Sequence, residues 1–346
     1  MPATRTLRAP AELVAAGLIA AADLAAVEVV AARYAVALTP AVAELIDPAD
    51  PADPIARQYV PTAAELDTRP EEMSDPIGDA AYSPLNGLVH RYPDRVLLTP
   101  LLVCPVYCRF CFRRSRVGDG GATMTEADID AALAYVLARP KLREVILTGG
   151  DPLMLPPARL RRLVARIAAI PHIEVVRVHS RVPLSDPGRV TPDLAAALQS
   201  GRGGAAVWLA VHVNHPRELS DKARDALALL ADAGVPLLSQ TVLLKGVNDS
   251  AEVLDVLMRA LVRNRVRPYY LHHPDLAPGT AHLRPSIAEG QALMRALRGR
   301  LSGIAQPTYV LDIPGGFGKV PVGPDYWDGG VGEVRDPKGR THTYPG

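Results

Sequence analysis

The sequence predicts an α/β fold of repeated βα units around a parallel sheet, on three observations. From residue 96 onward, short apolar runs alternate with segments of helical length and period. The runs end in polar, chemically capable residues, as the strands of (β/α) barrels do on their catalytic face. All three cysteines, Cys104, Cys108 and Cys111, follow directly on the first run.

The run at 96–103 ends at Cys104, that at 144–147 at Thr148-Gly-Gly-Asp151, and that at 174–178 at His179-Ser-Arg181. The run at 206–211 ends at His212-Val-Asn-His215, and that at 236–243 contains Gln240-Thr241. The run at 267–271 ends at His272-His-Pro-Asp275, and a late one at 308–311 ends at Asp312. Helices are expected near 126–138, 157–169, 191–199, 216–233, 250–264 and 286–301. Upstream, the Ala-rich stretch 10–46 reads as two amphipathic helices broken near Thr39-Pro40, and the Pro-rich, acidic stretch 47–90 as an irregular connector. On this pattern alone, an ordinary doubly wound α/β fold stays open.

Composition excludes several classes. A net charge of +1 and 5% aromatics argue against a nucleic-acid-binding face. Glu12, Asp23, Glu28, Arg33 and Glu44 interrupt the N-terminal apolar stretch too often for a membrane span, and its order is not that of a signal peptide. The clustered cysteines make a disulfide scaffold untenable and indicate a reduced, cytoplasmic setting. Five lysines stand against thirty-three arginines, which draws attention to Lys319 behind a glycine-rich turn.

Three thiolates at C-x3-C-x2-C spacing can wrap one metal centre and leave a coordination position open. A [4Fe–4S] cluster held this way has one iron free for another ligand. Structural zinc takes four protein ligands, so that alternative needs a histidine such as His90 to complete it.

The segment Val103-Cys-Pro-Val-Tyr-Cys-Arg-Phe-Cys-Phe-Arg-Arg114, with Tyr107 and Phe110 before the second and third cysteines, resembles the cluster motif of radical S-adenosylmethionine (SAM) enzymes. The resemblance implies a partial (β/α)6 TIM-type barrel, a cluster on Cys104, Cys108 and Cys111, and SAM on the open iron. Further motifs resemble lysine 2,3-aminomutase and its relatives over roughly residues 90–326. They are His90-Arg-Tyr-Pro-Asp-Arg95, Gly149-Gly-Asp-Pro-Leu153, His212-Val-Asn-His-Pro216, Gln240-Thr-Val-Leu-Leu-Lys-Gly-Val-Asn-Asp249, Arg267-Pro-Tyr-Tyr270 and Pro314-Gly-Gly-Phe-Gly-Lys-Val-Pro321.

That resemblance implies roles for individual residues. Lys319 would bind pyridoxal 5′-phosphate (PLP) as a Schiff base. Arg91 and Arg95 would hold its phosphate bidentately, with Tyr92 against the ring. Gly149, Gly150 and Asp151 would meet the SAM amino group, and His212 and Gln240 the nucleoside. Arg113 would take the substrate α-carboxylate, and Asp275 and Asp312 a distal ammonium, which is costly to bury unpaired. Taken singly, these residues also read as solvated arginines, capping aspartates, a surface lysine or a His212/His215 metal pair.

The expected organisation is a helical extension and connector (1–80), a radical SAM barrel (81–305) and a short C-terminal segment carrying the PLP lysine (306–346). The expected activity is conversion of L-lysine to β-lysine. Its alternatives are β-lysine synthesis for elongation factor P modification, or action on another cationic amino acid such as arginine. An electron donor such as flavodoxin or ferredoxin is implied, and a homo-oligomer is expected. Two departures from the family pattern stand out: Ser250 lies where some members carry a zinc-binding cysteine, and His272 where the family has tyrosine.

Overall fold

The computed structural model describes residues 5–118, 123–199, 204–328 and 332–343. Its centre is a nine-stranded sheet whose strands lie in sequence order. They are β1 (Leu88–Tyr92), β2 (Arg95–Leu101), β3 (Glu144–Gly149), β4 (Val175–Ser180), β5 (Ala206–His212), β6 (Leu237–Val242), β7 (Val266–His272), β8 (Thr308–Ile313) and β9 (Gly318–Pro321). Strands β2 to β8 pair in parallel, and β1 and β9 add antiparallel edges. This is the α/β barrel expected, nearly closed, with seven parallel strands rather than six and with antiparallel borders that have no apolar run in the sequence.

Residues such as Leu98, Leu147, Val178, Leu209 and Leu271 are buried together under the helices Glu126–Leu137, Pro157–Ala168, Asp221–Asp232 and Ala251–Arg263. Three of these helices, and the later helix Ile287–Leu297, start where the sequence supplies a cap; Pro157–Ala168 starts on prolines instead. Thr125, Ser220, Ser250 and Ser286 each accept a hydrogen bond from a backbone N–H in the first turn. Ser250, noted for its departure from the family pattern, therefore has a structural task.

The N-terminal extension differs from two long helices. It forms Pro10–Ala15, Leu24–Arg33 and a single turn Pro40–Ala43, the last capped by Thr39 at the expected break. Gly17, at φ +73°, ends the first helix, and Leu7 and Leu38 pair across an antiparallel bridge. The extension packs its own apolar group, including Leu38, Val42, Ile55 and Tyr59, onto Val106 of the cysteine loop.

Two functional motifs also sit on strands rather than loops. His90-Arg-Tyr belongs to β1, and Lys319 lies on β9, the return strand of a hairpin with β8. Gly315, Gly316 and Gly318 all adopt positive φ, which lets the chain turn back in four residues. The barrel edges β1 and β9 are tied where the Lys319 backbone N–H donates to Tyr92 Oη at 2.8 Å. Beyond β9 a three-stranded ribbon forms from Trp327–Asp328, Glu333–Arg335 and Thr341–Thr343. Among the described residues, no helix is long and apolar enough to cross a membrane.

Candidate active site

The strands deliver their C-terminal residues to one cavity of about 720 Å³. Every residue to which the resemblance gives a cofactor or substrate role lines it: the three cysteines, Arg91, Tyr92, Arg95, Arg113, Gly149, Gly150, Asp151, His212, Gln240, Asp275, Asp312 and Lys319; His90 and His215, the candidates of the metal alternatives, do not. A parallel barrel places successive strand ends on one rim, so residues far apart in sequence meet there.

The cysteine loop is held from both sides. From above, Tyr107 N–H donates to Ala37 O and Arg109 N–H to Gln58 O, both in the N-terminal extension. From beside, the turn after β3 zips onto it: Gly150 N–H donates to Leu101 O and Asp151 N–H to Val103 O. A Cβ on Gly150 would come within 2.4 Å of Val103 O, so only glycine permits this approach. The carboxylate of Asp151 accepts backbone N–H groups of Leu153, Arg181 and Val182. These bonds match the capping alternative and hold two strand-end turns together beside Cys104.

Three arginines on the loop divide their work. Arg109 and Arg114 both reach the carboxylate of Glu65, which is 1% exposed. Arg113 instead faces the cavity and donates to Asp79 at 2.9 Å. Burial pushes all three thiols up, Cys108 to about 11; the Asp151 charge and the neighbouring thiolates add to it at Cys104, and Cys111 adds to it at Cys108. Three thiolates here call for a positive centre, and iron supplies one. Among the described residues no three His, Cys, Asp or Glu side chains converge on a single metal ion. A cluster needs no such convergence, since each thiolate binds its own iron.

Opposite the cysteines, Lys319 Nζ is ion-paired with Asp312, its cross-strand partner in the β8–β9 hairpin. It also lies 3.2 Å from His272 Nδ1 and 5.6 Å from the Tyr270 ring centroid. Burial, followed by the Lys319 charge, pulls His272 well below its ordinary value, so it is neutral and able to accept. Asp275 is pushed up to about 7, first by burial and then by Asp312. The Arg95 guanidinium stacks on Tyr92 at 3.8 Å, and Arg91 sits 5.5 Å from that ring. An amine, a paired set of arginines and a tyrosine face on one wall fit PLP. The thiols and the buried, unpartnered His212 Nε2 on the other fit the cluster and SAM.

Some residues at the site carry no role from the sequence. His179 bonds Gln240 at 2.8 Å, and the Arg181 guanidinium lies 5.3 Å from the Phe110 ring centroid. Both had a signal, since they end a strand run. Asp79, behind Arg91 and Arg113, had none.

This barrel with its three-cysteine loop defines a radical SAM enzyme, and the Radical SAM superfamily model matches residues 98–257. A second model, Lysine-2,3-aminomutase, matches residues 294–329. L-lysine 2,3-aminomutase of Clostridium subterminale is 45% identical over 290 residues, covering 84% of this chain and 69% of that protein. The enzyme of the same name from Acetoanaerobium sticklandii is 44% identical with the same coverage. Glutamate 2,3-aminomutase of Clostridioides difficile is 35% identical over 86% of this chain and 69% of its own length. The chain belongs to the radical SAM lysine 2,3-aminomutase family. It is an isomerase of the aminomutase type, and its superfamily implies a [4Fe–4S] cluster and SAM.

Proposed function

We propose that the protein moves the α-amino group of L-lysine to the β-carbon, giving β-lysine, with PLP bound at Lys319. The family includes a glutamate-acting member, so membership leaves the substrate open. The observation that carries the reading is the acidic pair Asp275 and Asp312 in the wall that bears Lys319. Once Lys319 is committed to the cofactor, its charge no longer balances Asp312. The two carboxylates then face the cavity and select an amino acid with a distal cation.

A cluster held by Cys104, Cys108 and Cys111 would supply an electron to SAM, and PLP held by Lys319 would supply a π-system that eases the amino shift. This chain's residues do the rest. Arg113 takes the substrate carboxylate, Arg91 and Arg95 the phosphate, and Asp275 and Asp312 the ammonium, fixing the β-carbon between the walls. Neutral His272 accepts a hydrogen bond from Lys319 Nζ and helps to aim that amine into the cavity. The N-terminal extension over the cysteine loop excludes water and oxygen from a reactive radical.

The test is oxygen-free incubation with SAM, PLP, a flavodoxin- or ferredoxin-type reductant and a panel of lysine, arginine and glutamate, read by mass spectrometry. β-Lysine as the main product supports the reading; turnover of glutamate alone refutes it. Lys319→Ala keeps cluster and SAM cleavage but loses amino migration, and unchanged turnover would remove Lys319 from its role.

A further inference from the structure

We propose that Asp79 is a positioning residue that fixes Arg91 and Arg113 together, and that the segment carrying it is part of the active site. The proposal rests on the reading of those arginines as ligands for phosphate and α-carboxylate.

Asp79 is 2% exposed and lies behind the cavity wall. One carboxylate oxygen accepts from Arg113 at 2.9 Å. The other has no hydrogen bond and faces Arg91 at 3.8 Å. The two guanidinium groups are themselves almost fully buried, with side chains 9% and 10% exposed. Two buried cations on one cavity repel each other, and an anion between them offsets that repulsion and sets their orientation. Asp79 bonds a single nitrogen of the Arg113 fork, so other donors remain for a substrate carboxylate.

The position of Asp79 is built, not incidental. The Asp75 carboxylate accepts the backbone N–H groups of Asp79 and Ala80, at 2.9 and 2.8 Å, and Ser83 Oγ donates to Asp79 O. Ile77 O accepts from Arg91 at 2.6 Å. Gly78, at φ +68°, packs backbone to backbone on the Lys319 turn: a Cβ there would lie 2.7 Å from Gly315 C. The same short segment thus touches the phosphate arginine, the carboxylate arginine and the lysine hairpin. Loss of the Asp79 charge releases Arg113 and weakens capture of an α-carboxylate.

Asp79→Asn keeps the size and removes the charge. In the PLP-loaded, cluster-reconstituted protein, binding of lysine and of cadaverine, the same diamine without a carboxylate, is followed by the visible absorption of PLP. Lysine affinity falls ~10-fold or more, cadaverine affinity holds, and a crystal structure of the variant finds Arg113 moved. Asp79→Glu, which keeps the charge, weakens lysine binding less and still separates the two diamines if the Asn variant does not fold. Unchanged lysine affinity, or equal loss of both ligands, overturns the proposal. If the unsubstituted protein binds neither diamine, the lysine reading fails, and the position of Arg113 in the variant crystal alone decides the role of Asp79.

Discussion

Asp312 shows how one residue serves two states of the site. In the structure it is ion-paired with Lys319; on the proposed function, with Lys319 engaged by the cofactor, it would be free to meet a substrate ammonium. Asp312→Asn therefore raises the lysine KM by about 10-fold or more, read in steady-state kinetics. Asp275 carries a pH signature. Its carboxyl is held up to about 7, so the neutral form dominates below that pH and the anion above it. An ammonium binds the anion, so lysine KM falls as pH rises through 7, and Asp275→Asn flattens that limb. The same shift means that ionising Asp275 costs stability in the folded protein as pH climbs from the ordinary carboxylate range through 7.

The cysteine loop depends on contacts that lie outside it. Glu65 is buried between Arg109 and Arg114, and removing its charge strands two buried guanidinium groups. Glu65→Gln should cost about 3–5 kcal/mol in chemical denaturation, and iron content per chain should fall after reconstitution. The turn after β3 gives a second test. Gly150→Ala drives a methyl into Val103, displacing the strand end that bears Cys104. We expect a loss of about 1–3 kcal/mol from overpacking, together with weaker SAM binding by calorimetry.

For the whole molecule, the arrangement of strand ends on one rim is the property that matters. Cysteines after β2, glycines after β3, His212 on β5, Gln240 on β6 and Asp312 on β8 meet because consecutive parallel strands close around one axis. Oxygen-free reconstitution should give iron and sulfide in cluster proportion, and SAM should alter the cluster's paramagnetic spectrum; absence of both would undo the assignment of the loop.

Much of this was legible in residue order, because strand and helix periods and a three-cysteine spacing are local properties. The runs predicted seven of the nine strands of the central sheet within a few residues, and none of the three in the C-terminal ribbon. Strands β1 and β9 escaped because they are short, partly exposed and interrupted by charges, so they have no run to read. By itself the sequence determined the barrel's repeating units, the thiol loop and the candidate ligand residues. Only the tertiary structure decided that Lys319 stands across a hairpin from Asp312, and that Asp79, in a stretch without pattern, lies behind two arginines. Pairings between distant segments follow from how the sheet curves and what packs against it, and neither is encoded in any one segment's period.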